Sequence, residues 1–361
     1  MSRCKLEEFI SYEQPSKYIV DSDQYDDSFE IPVLTAGKSF ILGYTDETNN
    51  IFDNLPVIIF DDFTTSVQFV DFPFKVKSSA MKLLKNTEQA DIKYCYYLLK
   101  FLQHTPENHK RQWLSATSQN IVELPTIEKQ KNIVRKLDKI LEVIDNQNKQ
   151  LELLDEAIKA RFVEMFGDPR INDKKWKTGK IVDYFEVKGG KRIPKGMGYA
   201  ERKTNHPYLR ASDMKNATIL DDDIHYIDEE VYKRIKRYTV NAHDIYLTNV
   251  GVNLGMAGVI PKKYDGANLT ENAVKLVPKD KILLNGMFLS YYINSPGIQH
   301  YINERKMSVG VPKLAIFRIE SMPLLLPPLE LQNQFASFVE EIDKSRLLSN
   351  HSLFLIKSIT F

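Results

Sequence analysis

A repeated heptapeptide constrains this chain more than any other feature. Leu124-Pro125-Thr126-Ile127-Glu128-Lys129-Gln130 returns 202 residues later as Leu326-Pro327-Pro328-Leu329-Glu330-Leu331-Gln332. Each copy opens a long helical pattern, and each follows a mixed strand-and-helix segment of over a hundred residues. The order module–helix–module–helix predicts two similar heads held apart by two similar rods. Such a protein is built to read two separated marks on an elongated partner.

The first rod has the plainest pattern. Val134, Leu137, Leu141, Ile144, Asn148, Leu151, Asp155, Ile158, Phe162 and Met165 alternate spacings of three and four, and eight of the ten are apolar, a heptad seam. A helix over 127–166 runs roughly 60 Å at about 1.5 Å per residue, and so long a helix needs a partner. The second rod supplies one: Leu331, Phe335, Phe338 and Ile342 keep the rhythm, Ser345, Ser349 and Ser352 interrupt it, and Ile356 and Ile359 resume it. If the rods run antiparallel, Asn148 and Asp155 come near that serine stretch. The alternatives are a polar layer that fixes register and a locally solvated seam. Pro125 and Pro327-Pro328 precede the helices, where a missing N–H does no harm.

Around the rods the sequence divides into a first module over 1–120, the first rod over 121–167, a second module over 168–320 and the second rod over 321–361. The first module carries strand-like runs at Ile31–Leu34, Ser39–Leu42 and Val57–Phe60, then a helix over Tyr94–Leu102. The second carries strand candidates at Pro207–Arg210, Asp244–Thr248 and Gly258–Ile260, and a helix near Gly286–Ile293. Gly167-Asp168-Pro169 breaks rod from module. At 361 residues the chain is long enough for two cores, and no apolar run is long enough to predict a membrane span. Two cysteines without CxxC spacing, Cys4 and Cys95, and a polar sequence after Met1 predict a reducing, cytoplasmic setting. A net charge of +1 leaves nucleic-acid binding open, because local basic surface decides it.

The chain resembles the specificity (S) subunit of type I restriction–modification systems over essentially its whole length. The resemblance rests on the two Leu-Pro-x-[Ile/Leu]-Glu-x-Gln openings. In the first module it rests on the segments Ile31–Thr45, Ile58–Thr65 and Phe74–Met81. In the second it rests on Lys188–Pro194, Tyr208–Asp213 and Gly310–Leu314. It implies an α/β (α+β) fold: two globular target recognition domains separated by two long antiparallel coiled-coil helices, as a pseudo-twofold repeat. It further implies a host-defence complex with double-stranded DNA, two methyltransferase (M) subunits and motor-nuclease (R) subunits. S-adenosylmethionine, ATP and Mg would serve those partners, with no cofactor in this chain and no membrane. B-DNA turns once in about 34 Å, so heads on such a rod suit half-sites about one turn apart. Because the heads differ in sequence, the site is expected to be bipartite and asymmetric. Two departures bear on symmetry: the first module is short for the family, and the second rod is shorter and more polar than the first.

Candidate DNA contacts follow from residue type and loop position. Lys188, Lys191, Arg192 and Lys195 lie among Gly189, Gly190 and Gly196, where cations neutralise phosphate and glycine permits close approach; the bland alternative is a solvated loop. Arg210 and Asp213 suit guanine and cytosine edges, or a salt bridge with each other. Thr248, Asn249 and Asn253 suit adenine or an ordinary turn. Lys306, Ser308 and Lys313 surround Gly310. In the first module Thr35, Lys38, Ser39, Tyr44 and Thr45 flank turn glycines, and Lys75, Lys77 and Ser78 form a second basic cluster. Arg111 is a phosphate candidate, whereas Trp113 reads as packing. Asp61 and Asp62 read as a turn before a metal site. The partner and coiled-coil seam comprises Val134, Leu137, Leu141, Ile144, Asn148, Leu151, Ile158, Phe162, Phe335, Phe338 and Ile342.

Catalytic signatures are missing from the sequence. Gly37-Lys38-Ser39 lacks the leading glycine of a phosphate loop, because Pro32 stands there. Glu186-Val187-Lys188 is half of a nuclease motif at most. No Asn/Asp-Pro-Pro-Tyr/Phe segment and no HExxH exists. A non-catalytic DNA-binding subunit is therefore expected. The rivals are a single-chain modification enzyme, for which methyltransferase motifs are lacking, and a coiled-coil adaptor with two protein-binding heads.

Overall fold

A computed structural model describes residues 2–35, 39–106, 111–279 and 284–360. The chain divides into two compact units, Met1–Gln147 with Ser352–Phe361, and Asn148–His351, so that each takes part of both long helices. The helices run Ile127–Phe166 and Leu329–Thr360. Both begin three residues after the end of a short strand that closes on the repeated leucine, Ile121–Leu124 and Pro323–Leu326. The mixed helix-and-strand class expected from sequence is the class observed.

Each unit repeats one topology. The strand before the helix pairs antiparallel with the strand that opens the module, Ser2 opposite Leu124 in the first and Lys177 opposite Leu326 in the second. A four-stranded sheet follows in both. In the first unit its order is Ile10–Glu13, Met81–Asn86, Val57–Asp61, Val67–Val70. In the second it is Phe185–Gly189, Ala273–Pro278, Ile245–Thr248, Ala257–Val259. A three-stranded sheet accompanies each, with a central strand, Ile31–Leu34 or Pro207–Leu209. That strand has an antiparallel neighbour on one side and a short parallel one, Lys75–Val76 or Asn268–Leu269, on the other. These pairings make Thr35 the counterpart of Arg210, Lys75 of Asn268, and Lys77 of Thr270.

The repeated glutamine joins helix to module. Gln130 is fully buried; its Nε2 donates to the carbonyls of Pro125 (2.8 Å) and Gln89 (3.1 Å), and its Oε1 accepts from the Asp91 N–H (2.8 Å). Gln332, equally buried, donates to the Pro327 carbonyl (2.9 Å) and accepts from the Asn285 N–H (2.8 Å). Asp91 and Asn285 are the N-caps of the module helices Ile92–Phe101 and Gly286–Asn294. One amide thus ties the first turn of the long helix to the start of the module helix.

In the second unit the long helices run antiparallel. Phe162 and Phe166 pack on Phe335 with ring centroids 5.5 and 5.6 Å apart, and Asp155, two turns before Phe162, pairs with Arg346. Ile158, Phe162, Phe335 and Ile342 are buried in this core, and Phe338 packs at its margin. The polar position at Asp155 is therefore met by Arg346 beside Ser345. Asn148 is exposed and Leu151 half-buried. In the first unit Val134 enters the core, Leu137 and Ile144 are half-buried, and Leu141 is exposed. Trp113 is buried against Phe60, its ring 5.2 Å away.

The turn after Val57–Asp61 and its counterpart after Ile245–Thr248 are solved differently. In the first, Asp62 Oδ1 accepts the Trp113 N–H (2.8 Å), and the buried Lys82 ammonium faces Asp62 Oδ2 at 3.1 Å without a well-aligned hydrogen bond. In the second, the equivalent Asn249 exchanges bonds with Leu314 (2.9 and 3.4 Å), and Val274 stands in the place of Lys82. Removing one member of a buried ion pair strands the other. Lys82→Met should therefore cost roughly 3–5 kcal/mol. The double change Asp62→Asn, Lys82→Val, which copies the second unit, should cost less than half of that in urea unfolding of the full chain. Gln332→Met leaves the Asn285 N–H and Pro327 carbonyl without partners and should cost about 2–4 kcal/mol in the same assay.

Candidate nucleic-acid interface

In the second unit, hydrogen bonds and ring packing connect all of the candidate loops into one surface. Phe185–Gly189 leads into the glycine loop, and Gly190 lies so close to the neighbouring strand that a Cβ there would sit 2.0 Å from the Thr270 carbonyl oxygen. The Gly190 N–H donates to Ala273 (3.0 Å) and the Lys191 N–H to Leu269 (2.8 Å), so the loop is pinned at its root. Lys188, Lys191, Arg192 and Lys195 are all exposed. Lys188 pairs with Glu186 at 2.5 Å, and Arg192 Nε with Glu271 Oε1 at 2.5 Å. Burial works to raise the Glu271 pKa, but Arg192, the Glu271 backbone N–H and the Thr270 hydroxyl together outweigh it and hold the carboxyl below its usual range. Lys188 likewise lowers that of Glu186. The Glu186-Val187-Lys188 segment is thus an ion pair on a strand.

The Arg210–Asp213 turn adjoins this loop. The Tyr208 hydroxyl donates to the Lys191 carbonyl (2.9 Å), and the Tyr199 ring lies 5.9 Å from that of Tyr208. Arg210 forms a forked pair with Asp213 (2.6 Å to Oδ1) and also reaches Asp223 Oδ2 (3.0 Å). Asp213 is buried. Of the two readings of this pair, the salt bridge is the one in place, and it closes the turn. Asn253 Nδ2 donates to the Ala211 carbonyl at 3.3 Å, joining the next loop to the turn. Thr248 and Asn249 are buried and hold that loop from within: the Thr248 hydroxyl donates to the Asn253 carbonyl. Neither side chain is presented at the surface.

The last loop completes the surface. Met307 and Lys313 exchange backbone bonds (2.8 and 3.1 Å) around a hairpin whose Gly310 has φ +79°, and the Gly251 N–H donates to the Pro312 carbonyl (2.9 Å). Ser308 and Lys313 are exposed; Lys306 is half-buried, its ammonium on Asn303 Oδ1 (2.8 Å). Residue type and loop position pass over Tyr199, Glu271 and Asp223, and also Val252, Val309 and Val311. The Val-Gly-Val-Pro string at 309–312 is the one signal in sequence that flags the last group.

The first unit offers a sparser set. Lys75 is buried, 2.5 Å from Glu47 and 3.0 Å from the Asn49 carbonyl, so it clamps the 45–49 loop from inside. Burial works to raise the Glu47 pKa, but Lys75 and the N–H groups of Ser22 and Asp21 together more than reverse it. Thr45 is buried too, its hydroxyl accepting the Glu47 N–H (3.3 Å). Lys77, half-buried, pairs with Asp23. Ser39, Ser78 and Arg111 are exposed, while Thr35 and Tyr44 are half-buried. Lys38 lies outside the described residues. Asp61 accepts from the Phe63 N–H (2.9 Å) and the Thr64 hydroxyl (2.6 Å), which makes it a turn former. Among the described residues no cluster of His, Cys, Asp and Glu could hold a metal, and no helix is long and apolar enough to cross a membrane.

Residues 173–356 match the model of the type I restriction modification DNA specificity domain. The chain is 31% identical to the specificity subunit of the type I restriction enzymes EcoR124I/EcoR124II from Escherichia coli, over 96% of this chain and 86% of that one. The chain belongs to the type I restriction–modification specificity subunit family. A further relative, the MjaIX specificity subunit of Methanocaldococcus jannaschii, is 22% identical over 74% of this chain and 66% of its own. The fold is shared with the S subunit crystal structure from M. genitalium, at a TM-score of 0.62 and 15% identity, covering 99% of this chain and 93% of that one. A structure described for complex assembly and conformational transition of the type I system also matches, at 0.60 and 13%, covering 99% and 95%.

For this specificity subunit the exposed cations of the glycine loop make a quantitative expectation. Lys188→Ala with Lys195→Ala should weaken DNA binding evenly across sequences. The slope of log affinity against log salt should become shallower by about 0.9 for each phosphate no longer neutralised. Titrations of the subunit with DNA at several salt concentrations measure both.

Proposed function

We propose that this specificity subunit recognises a bipartite, asymmetric DNA sequence, one half by each module, and directs methyltransferase and motor-nuclease subunits to it. The observation that carries the reading is one scaffold present twice with different side chains at equivalent loop positions. Thr35 stands where the second unit has Arg210, and Lys77 where it has Thr270. Two copies of one framework with one loop chemistry would suit a palindrome; two chemistries suit two unlike half-sites. In the second unit the glycine-loop cations supply backbone affinity, and the polar groups at 253 and 308 lie where base edges are read.

The chain is the specificity component, and the catalysis belongs to its partners, which on this reading use S-adenosylmethionine, ATP and Mg. Exposed apolar side chains on the long helices, Leu153 (61%), Val163 (52%) and Leu347 (70%), supply docking surface for the methyltransferase subunits. The heptad residues Val134, Ile158, Phe162, Phe335 and Ile342 instead hold each unit's core together.

A methylome of cells carrying this chain with its methyltransferase subunit tests the proposal. Methyladenine in one two-part motif with a fixed gap is expected. Exchanging residues 168–320 for those of a relative should change one half of the motif and leave the other. A palindromic motif, or both halves changing together, would refute one-module-one-half recognition.

A further inference from the structure

Three exposed valines stand on the two stitched loops of the second unit. Val252 and Val309 are each 98% exposed and Val311 is 66% exposed. Scattered surface aliphatics need no explanation, but these are not scattered. The Gly251–Pro312 bond (2.9 Å) joins the two loops directly, and Val250 bridges to Lys313. Leu314, fully buried, and the Asn249–Leu314 bonds anchor the pair to the core. Gly310, at φ +79°, turns the chain between Val309 and Val311. The tips are therefore held out from the fold by backbone bonds at their base.

Resting on the DNA-recognition reading above, we propose that Val252, Val309 and Val311 read thymine through its C5 methyl group in the major groove. Thymine is the base that offers an apolar group there, and apolar side chains are its complement. Valine suits the task because its branched Cβ is stiff at χ1 and presents two methyls at a fixed distance from the backbone. It is too short for the alternative role of a wedge between base pairs, which uses Phe, Leu, Ile, Met or Pro. Met307, long enough to be one, sits at the closed base of the hairpin and not at its tip. The surroundings favour a polyanion over a protein: Lys306 and Lys313 flank the tips, and Asn253 adjoins them. Three short side chains on loop tips also fall well below the roughly 800 Å² per partner of a stable protein interface.

The test uses the full chain in complex with its methyltransferase subunit and duplexes bearing the motif found by methylome. Each thymine of the half-site assigned to residues 168–320 is replaced in turn by deoxyuridine, which removes the methyl and leaves every hydrogen bond. One or two positions should lose about tenfold in affinity, the discrimination a single methyl-sized group supplies. The triple change Val252→Ser, Val309→Ser, Val311→Ser should bind thymine and uracil duplexes alike, while assembly with the methyltransferase is retained. Wild-type binding that is specific yet indifferent to uracil at every position overturns the inference and leaves the functional reading standing. A half-site without an A·T pair overturns it as well. Loss of all specific binding by the wild-type complex overturns both.

Discussion

The buried amides of Gln130 and Gln332 are the joints on which the rest of the molecule depends. A long amphipathic helix has no direction of its own; its heptad seam says which face is covered, and nothing about where the helix leaves the module. The first turn supplies that information, because in both units a buried glutamine at the fourth helical residue bonds backbone groups outside the helix. Its Nε2 takes the carbonyl of the proline that precedes the helix, and its Oε1 takes the N–H of a capping residue on the module helix. Two bonds from one planar amide fix an angle as well as a contact. A glutamate cannot do this, since it has no donor, and a methionine satisfies neither side.

Around these joints the two units tolerate different chemistry wherever the polar groups still close. The turn after Val57–Asp61 is ionic, Asp62 with Lys82, and the one after Ile245–Thr248 is neutral, Asn249 with Val274 in place of the lysine. At the parallel edge strand a buried lysine, Lys75, stands where the other unit buries Asn268. What persists is the backbone register and one anchoring bond at the turn, from the Trp113 N–H to Asp62 in the first unit and from Asn249 to the Leu314 carbonyl in the second. This leaves the loops above the sheets free to diverge, as a module needs if its scaffold is to serve unlike half-sites.

How much of this was legible in the sequence follows from the range of the forces involved. The long helices were, to within the residues Ile127 and Phe166, because a seam at alternating spacings of three and four is a local signal. So was the break at Gly167, which takes a positive φ of 77°. The strands near 31, 57, 207 and 245 were, since apolar runs between turn residues mark them. The loop residues were not. Lys75 and Lys77 look alike in sequence, yet one is buried against Glu47, 28 positions away, and the other pairs with Asp23. The partner of Arg192 is Glu271, 79 positions away. A charge read by type alone cannot reveal a distant carboxylate. The valines were passed over for the opposite reason: three apolar residues without periodicity carry no secondary-structure signal.

Those paired carboxylates bear on how the surface would work. A DNA-binding protein that left every cation bare would hold any duplex tightly and sample sites slowly. Here Arg192 is matched by Glu271, Lys188 by Glu186 and Lys77 by Asp23, in a chain whose net charge is only +1. On the DNA-recognition reading, phosphate would have to compete with a carboxylate already in place, so the net gain from each such contact would be a difference between two ion pairs, and affinity for arbitrary sequence would stay low. Discrimination would then fall to groups with no internal partner to give up, and the proposed thymine methyl against an exposed valine is a contact of that kind.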